Sequence, residues 1–110
     1  MDIIITLPSK INWNEYKEEL RLVESEEYLL NFKVNHFPKK TNVGDKCYLL
    51  YNGYVIGWMK IVGFKEDEFK CGVTGKHWKG KFIQRSGKFH KIKPIVMKGF
   101  QGYRYINLNN

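Results

Sequence analysis

The 110-residue sequence predicts a mainly β domain with one or two helices, an α+β arrangement built on a small β-barrel or sandwich. Three observations predict it. Aromatic residues make up 15% of the chain, and aromatics favour strands and binding surfaces. Turn signals separate short apolar runs about every ten residues, which gives about six to eight strands. Only one stretch, near the start, carries a helical stripe of apolar residues. The length suits one domain over residues 1–110 with a single core.

Asp2 to Leu7 is a β-branched run ended by Pro8, and it predicts a first strand. Asn12 followed by Glu15 has the spacing of a helix N-cap with a capping-box acid. Trp13, Tyr16, Leu20 and Val23 then form an amphipathic stripe, so a helix is expected over about 12–24. Tyr28 to Val34 alternates at period two, the mark of a half-buried strand. Asn35 to Asn42 reads as a loop around Pro38.

Val43 to Phe64 is the clearest stretch and predicts a β-hairpin. Val43-Gly44-Asp45-Lys46 opens it as a turn, because Gly44 accepts positive φ and Asp45 can bond nearby backbone. Lys46 to Tyr51 is an apolar strand, Asn52-Gly53 is a strong two-residue turn, and Tyr54 to Val62 returns. Gly57 inside the return strand marks a bulge, a bend or a close approach.

Lys65 to Glu68 reads as a charged turn, and Phe69 to Val73 as a short strand. Thr74-Gly75-Lys76 is a turn, His77 to Arg85 a strand, and Ser86-Gly87-Lys88 another turn. Phe89 to Met97 holds Pro94, which confines it to an edge or an irregular path. A glycine-flanked loop, Lys98 to Gly102, precedes a last strand over Tyr103 to Leu108.

The net charge of +8 is unevenly spread. All 11 acidic residues lie between Asp2 and Glu68, so residues 69–110 carry +10 and residues 1–68 carry −2. A one-sided basic segment suits a polyanion, most often nucleic acid, although it also suits a solvated face. Aromatics and glycines are interleaved with the charges. Lys76, Lys79, Lys81, Arg85, Lys88, Lys91, Lys93, Lys98 and Arg104 are therefore candidate phosphate contacts.

Exposed aromatic faces stack unpaired bases. Phe82, Ile83, Phe89, Ile92 and Tyr105 read first as inward strand residues. Trp78, Phe100 and Tyr103 lie beside glycines and turns, where core and ligand roles are equally open. Arg104 follows the Gly99-Phe100-Gln101-Gly102 loop, so either Gln101 and Arg104 converge on one ligand or Arg104 pairs with an acid from the first half, such as Asp45 or a helix glutamate. His36, His77 and His90 lack metal spacing, and no metal or cofactor is expected. Cys47 and Cys71 form no zinc motif and read as small buried hydrophobes. No nucleophilic triad or phosphate-loop motif is present. The start, MDIIITLPSK, lacks a basic n-region, and no apolar run is long enough for a membrane span, so a cytoplasmic protein is expected.

The Val43-Gly44-Asp45-Lys46 turn, its apolar strand, and Tyr54-Val55-Ile56-Gly57-Trp58-Met59-Lys60-Ile61-Val62-Gly63 resemble the core hairpin of the PUA-like superfamily, which includes PUA, ASCH, EVE and YTH domains. The resemblance implies a pseudo-β-barrel with a helix near its start and a nucleic-acid reader, binding RNA or a modified base in a pocket between barrel and helix. It makes Tyr51, Asn52, Trp58 and Trp78 pocket candidates, with Arg85 and Arg104 nearby. Phe100, Gln101 and Tyr103 join them from the residue reading above. A few ASCH-like proteins hydrolyse modified nucleosides, but their Lys, Thr and Glu constellation has no match here, so a binding module is favoured over an enzyme. A hydrolase acting in the same pocket and an interaction module for an acidic partner are the alternatives.

Overall fold

The computed structural model describes residues 1–8, 10–24, 30–70 and 77–108. Among these, six strands and one helix follow in the order β1 (Asp2–Thr6), α1 (Trp13–Glu24), β2 (Leu30–Val34), β3 (Lys46–Tyr51), β4 (Tyr54–Lys70), β5 (His77–Val96) and β6 (Tyr103–Ile106). The strands form one sheet in the order β2-β5-β4-β3-β1-β6. Only β1 and β3 run parallel, and every other neighbour is antiparallel.

The two parallel neighbours, β1 and β3, are the two most continuously apolar strands. Ile3, Ile4 and Ile5 of β1, and Cys47, Tyr48, Leu49 and Leu50 of β3, are all at most 2% exposed. A strand covered on both faces has no reason to alternate with polar residues. Ile3, Ile5, Cys47 and Leu49 pack with Met59, Ile61, Ile83 and Tyr16 of α1 on one face. Ile4, Tyr48, Leu50 and Val55 pack on the other.

Helix α1 starts as the sequence predicts. The Asn12 side-chain oxygen accepts the amides of Asn14 at 2.9 Å and Glu15 at 3.3 Å. Tyr16 is its anchor, 7% exposed against the first core face. The side chains of Trp13, Leu20 and Val23 lie outside the described residues.

The sheet does not close into a barrel, which corrects the expectation of a pseudo-β-barrel. Strands β2 and β6 are its edges and do not pair with each other. Closure would need that last ladder. Instead the strand pairing is irregular. Strand β4 shifts register against β3 near Leu49 and Leu50, and against β5 at three places between Val55 and Gly63. Each shift inserts extra residues on one strand and coils the pair.

Two expected turns are strand instead. Lys65 to Glu68 continues β4, with Glu66 opposite Lys81 and Glu68 opposite Lys79. Opposite charges at paired positions, as at Glu66 and Lys81, favour pairing over a turn. Ser86 to Lys88 lies within β5, where two extra residues are taken up between the Lys60–Ser86 and Trp58–His90 pairs. The turn signal is spent on a bulge, so the expected pair of shorter strands is one 20-residue strand. Pro94 sits beyond the stretch of β5 that β2 covers, residues 81–85, and next to another register shift. No ladder bond is lost there. The expected turn at Thr74 to Lys76 lies outside the described residues, and the last strand ends at Ile106 rather than Leu108.

After β5 the chain crosses the second face to reach β6. Met97 donates its amide to Gly53 at 2.9 Å, and Phe100 donates its amide to the Thr6 hydroxyl at 3.2 Å. Among the described residues no helix is long and apolar enough to cross a membrane.

Candidate functional site

The β3–β4 hairpin tip organises the concave end of the molecule. Asn52 and Gly53 both take positive φ, 49° and 83°. That is the two-residue turn whose twist matches its strands. The Tyr51 hydroxyl donates to the Ile11 carbonyl at 2.8 Å and ties the tip to the segment that leads into α1. Four residues on, Gly57 lets the Phe89 ring lie against the strand. A Cβ at Gly57 would fall 2.5 Å from Phe89 Cζ and against the His90 carbonyl oxygen.

These constraints leave a groove of about 840 Å³ between α1, the hairpin and β5. Helix α1 contributes Lys17 and Arg21, the hairpin contributes Tyr51, Asn52 and Tyr54, and β5 contributes Phe89 and Lys91. Lys17 and Arg21 are four residues apart, so they share a helix face. Arg21 reaches Glu18 at 2.7 Å, but both side chains are more than half exposed. Such a pair is weak and readily exchanged for a ligand's phosphate. Tyr54 is 47% exposed, a large ring open to solvent at the groove wall.

A second cavity of about 460 Å³ lies on the other side of the turn. It is formed by Thr6, Leu7 and Leu50 at the strand ends and by Gly99, Phe100 and Gln101 of the crossing loop. Asn52 lines both cavities. The Arg104 guanidinium lies 4.4 Å from the centre of the Phe100 ring, in cation–π contact. Arg104 and Gln101 thus flank the same aromatic residue. The alternative pairing of Arg104 with Asp45 is not formed, because Asp45 contacts the Met1 amine and the Asn42 amide.

The predicted residues separate into groups. Tyr51, Asn52 and Lys91 meet in the groove, and Phe100 and Gln101 meet in the second cavity. Trp58 belongs to neither. Its indole stacks on His90 at 3.9 Å with Lys46 4.7 Å from the ring centre, and it packs on the second core face. Tyr103 packs on the first core face, where burial and then Tyr105 push its phenol pKa up. Lys81 lies over Phe37 at 5.7 Å, while Lys88, Lys93 and Lys98 are exposed. Lys76 lies outside the described residues, as do the side chains of Trp78 and Lys79.

Arg85 is not a surface contact. It is 4% exposed, enclosed between β5 and α1, and its Nη1 reaches the Tyr16 hydroxyl at 3.5 Å. Its Nε has no hydrogen-bond partner among the described residues. The neighbouring Cys47 thiol is fully buried, as predicted, and desolvation pushes its pKa up to about 11 despite the opposing pull of Arg85. Cys71 lies outside the described residues. Among the described residues no group of three or more His, Cys, Asp or Glu is placed to hold a metal ion.

Lys17, Arg21, Tyr54 and Phe89 are among the groove residues that a reading of the sequence misses. Lys17 and Arg21 sit in the acidic half, and their i, i+4 spacing was their only signal. Tyr54 and Phe89 look like alternating strand positions, yet both line the groove, Phe89 from the stretch of β5 where the register shifts.

The class this arrangement defines is an open, coiled, mainly β domain whose concave end combines aromatic rings with cations from three elements. Comparison with protein-family models, curated proteins and solved structures finds no match to this chain.

Proposed function

We propose that this domain binds nucleic acid and seats a base in the groove between α1 and the β3–β4 hairpin. One observation carries the reading: Tyr51, Tyr54 and Phe89 converge with Lys17, Arg21 and Lys91 on one groove of about 840 Å³. Aromatic faces take bases and cations take the phosphates that connect them. The +10 charge of residues 69–110 supports the reading by drawing a polyanion to this side of the chain. Kinship with the PUA-like superfamily, a modified base or RNA as the ligand, and action in the cytoplasm belong to the same proposal. The hairpin that carries the resemblance is also the hairpin that forms the groove wall.

The test is the ultraviolet absorbance ratio of protein purified at low salt, before and after a high-salt wash, followed by a mobility shift of a mixed oligonucleotide pool. Bound nucleic acid that leaves at high salt is the expected result. Clean protein that shifts no oligonucleotide overturns the reading. Turnover of a modified nucleoside by such protein would replace it with the hydrolase alternative.

A further inference from the structure

Asn52 stands between two cavities, and each cavity offers an aromatic ring with a cation beside it. On the α1 side these are Tyr54 and Phe89 with Lys91. On the loop side it is Phe100, with Arg104 held 4.4 Å from its ring centre. The dividing residue is held by its backbone, since Asn52 and Gly53 form a tight positive-φ turn whose Gly53 carbonyl also accepts the Met97 amide. The Asn52 amide is exposed and offers both a donor and an acceptor, the pair a base edge requires. Glycines at 53, 99 and 102 border the second cavity and leave room for a ligand backbone.

Given the proposed nucleic-acid reading, on which this step rests, we infer that the ligand is a single strand that places two successive unpaired bases on either side of Asn52. One base occupies the α1 groove and the next occupies the cavity against Phe100. The chemistry requires unpaired bases. In a duplex the base faces are stacked on each other and only their edges are open, so rings at the cavity walls have nothing to stack on. Lys91 on one side and Arg104 beside Phe100 on the other are the cations assigned to the strand's phosphates. Lys98, exposed at the start of the crossing loop, joins them.

The experiment compares labelled hexanucleotides by fluorescence anisotropy: single-stranded DNA, single-stranded RNA of the same sequence, and the same sequence as duplex. The single strands are expected to bind at least tenfold more tightly than the duplex, and the DNA and RNA arms assign the sugar. Unlabelled dinucleotide and mononucleotide then compete against the hexamer. The dinucleotide is expected to win by about 5- to 150-fold, the fold-change of one additional stacked base. Phe100→Ala is expected to remove that advantage and leave mononucleotide competition unchanged, with a thermal melt confirming the fold. The wild-type competition stands as a test by itself if the variant does not fold. Equal binding of duplex and single strand, or equal competition by mono- and dinucleotide, overturns the two-base inference while the nucleic-acid reading survives. Binding to none of the probes overturns both.

Discussion

The Phe89 ring occupies the space that a side chain at Gly57 would need. A Cβ built there falls 2.5 Å from Phe89 Cζ and 2.8 Å from Cε2. Gly57 also sits where β4 slips register against both β3 and β5. The missing side chain therefore sets where the ring lies, and the ring forms part of the groove. Gly57→Ala is expected to destabilise the domain by about 1–3 kcal/mol, the cost of overpacking a tight contact. It should also weaken oligonucleotide binding at temperatures where the variant is still folded. Denaturant titration and anisotropy on the same sample check both. A variant with unchanged stability would mean that the ring has room to move.

Cys47 should be inert in the native protein. It has no solvent exposure and its thiol is pushed up to about 11 by burial. At pH 8 that leaves roughly one part in a thousand as thiolate, the form that reacts. A thiol-alkylating reagent, with peptide mapping to read Cys47 by itself, should label it only when denaturant opens the core. Rapid native labelling would show that the β1–β3–β4 centre opens easily.

Arg85 offers a sharper contrast. From its place among eight lysines it reads as a phosphate contact, but it is buried. Among the described residues its Nε has no hydrogen-bond partner and no carboxylate bridges it. A guanidinium stays charged in such a site, and taking it from water is costly. Arg85→Met keeps most of the volume and removes the charge. Stability should stay level or rise by about 1 kcal/mol or more, with the salt dependence of oligonucleotide binding unchanged. A variant that folds normally but loses affinity would return Arg85 to the ligand site.

The difference between Arg85 and Asn52 shows what the sequence could disclose. The Asn12 cap, the Asn52-Gly53 turn and the apolar strands β1 and β3 are set by near neighbours, and all were legible. Tyr51 and Asn52, pocket candidates through the resemblance to the PUA-like hairpin, line the groove. The joined strands β4 and β5 were not legible. Glu66 pairs with Lys81, fifteen residues away in sequence, so KEDE reads locally as a turn. The same bulges that absorb Ser86-Gly87-Lys88 break the period-two rule by which Phe89 seemed to face the core alone. Phe89 both packs on the first core face and lines the groove.

Asp45 gives the fold a definite acid dependence. The Asn42 amide, first, and the Met1 amine, second, hold its carboxyl below the ordinary aspartate range. A carboxylate whose folded pKa is lowered adds stability above its unfolded value, and that stability is lost as pH falls through the folded value. Asp45→Asn should therefore cost about 0.5–1.5 kcal/mol near neutrality, the net worth of such a hydrogen bond. The gap from wild type should narrow below pH 4 and vanish in stronger acid. Thermal melts of both proteins from pH 7 to pH 2 trace this. A gap that persists in acid would assign the loss to packing rather than to charge.

Two sets of cations can be separated by their salt dependence. Lys17, Arg21 and Lys91 rim the groove, whereas Lys81 and Lys88 lie elsewhere on β5. Each phosphate neutralised on a single strand contributes about 0.7 to the slope of log affinity against log salt. If the groove carries the ligand, the variant with Lys17→Gln, Arg21→Gln and Lys91→Gln should flatten that slope by about 2. Removing Arg21 leaves Glu18 without its exposed partner, which costs the fold little. The pair Lys81→Gln and Lys88→Gln should change the slope less. Equal effects per charge would mean that the strand face as a whole attracts the polyanion and the groove has no special share. The larger effect at Lys17 and Arg21 would be the more telling result, because those two cations lie in the acidic half of the chain and only the fold brings them to the site.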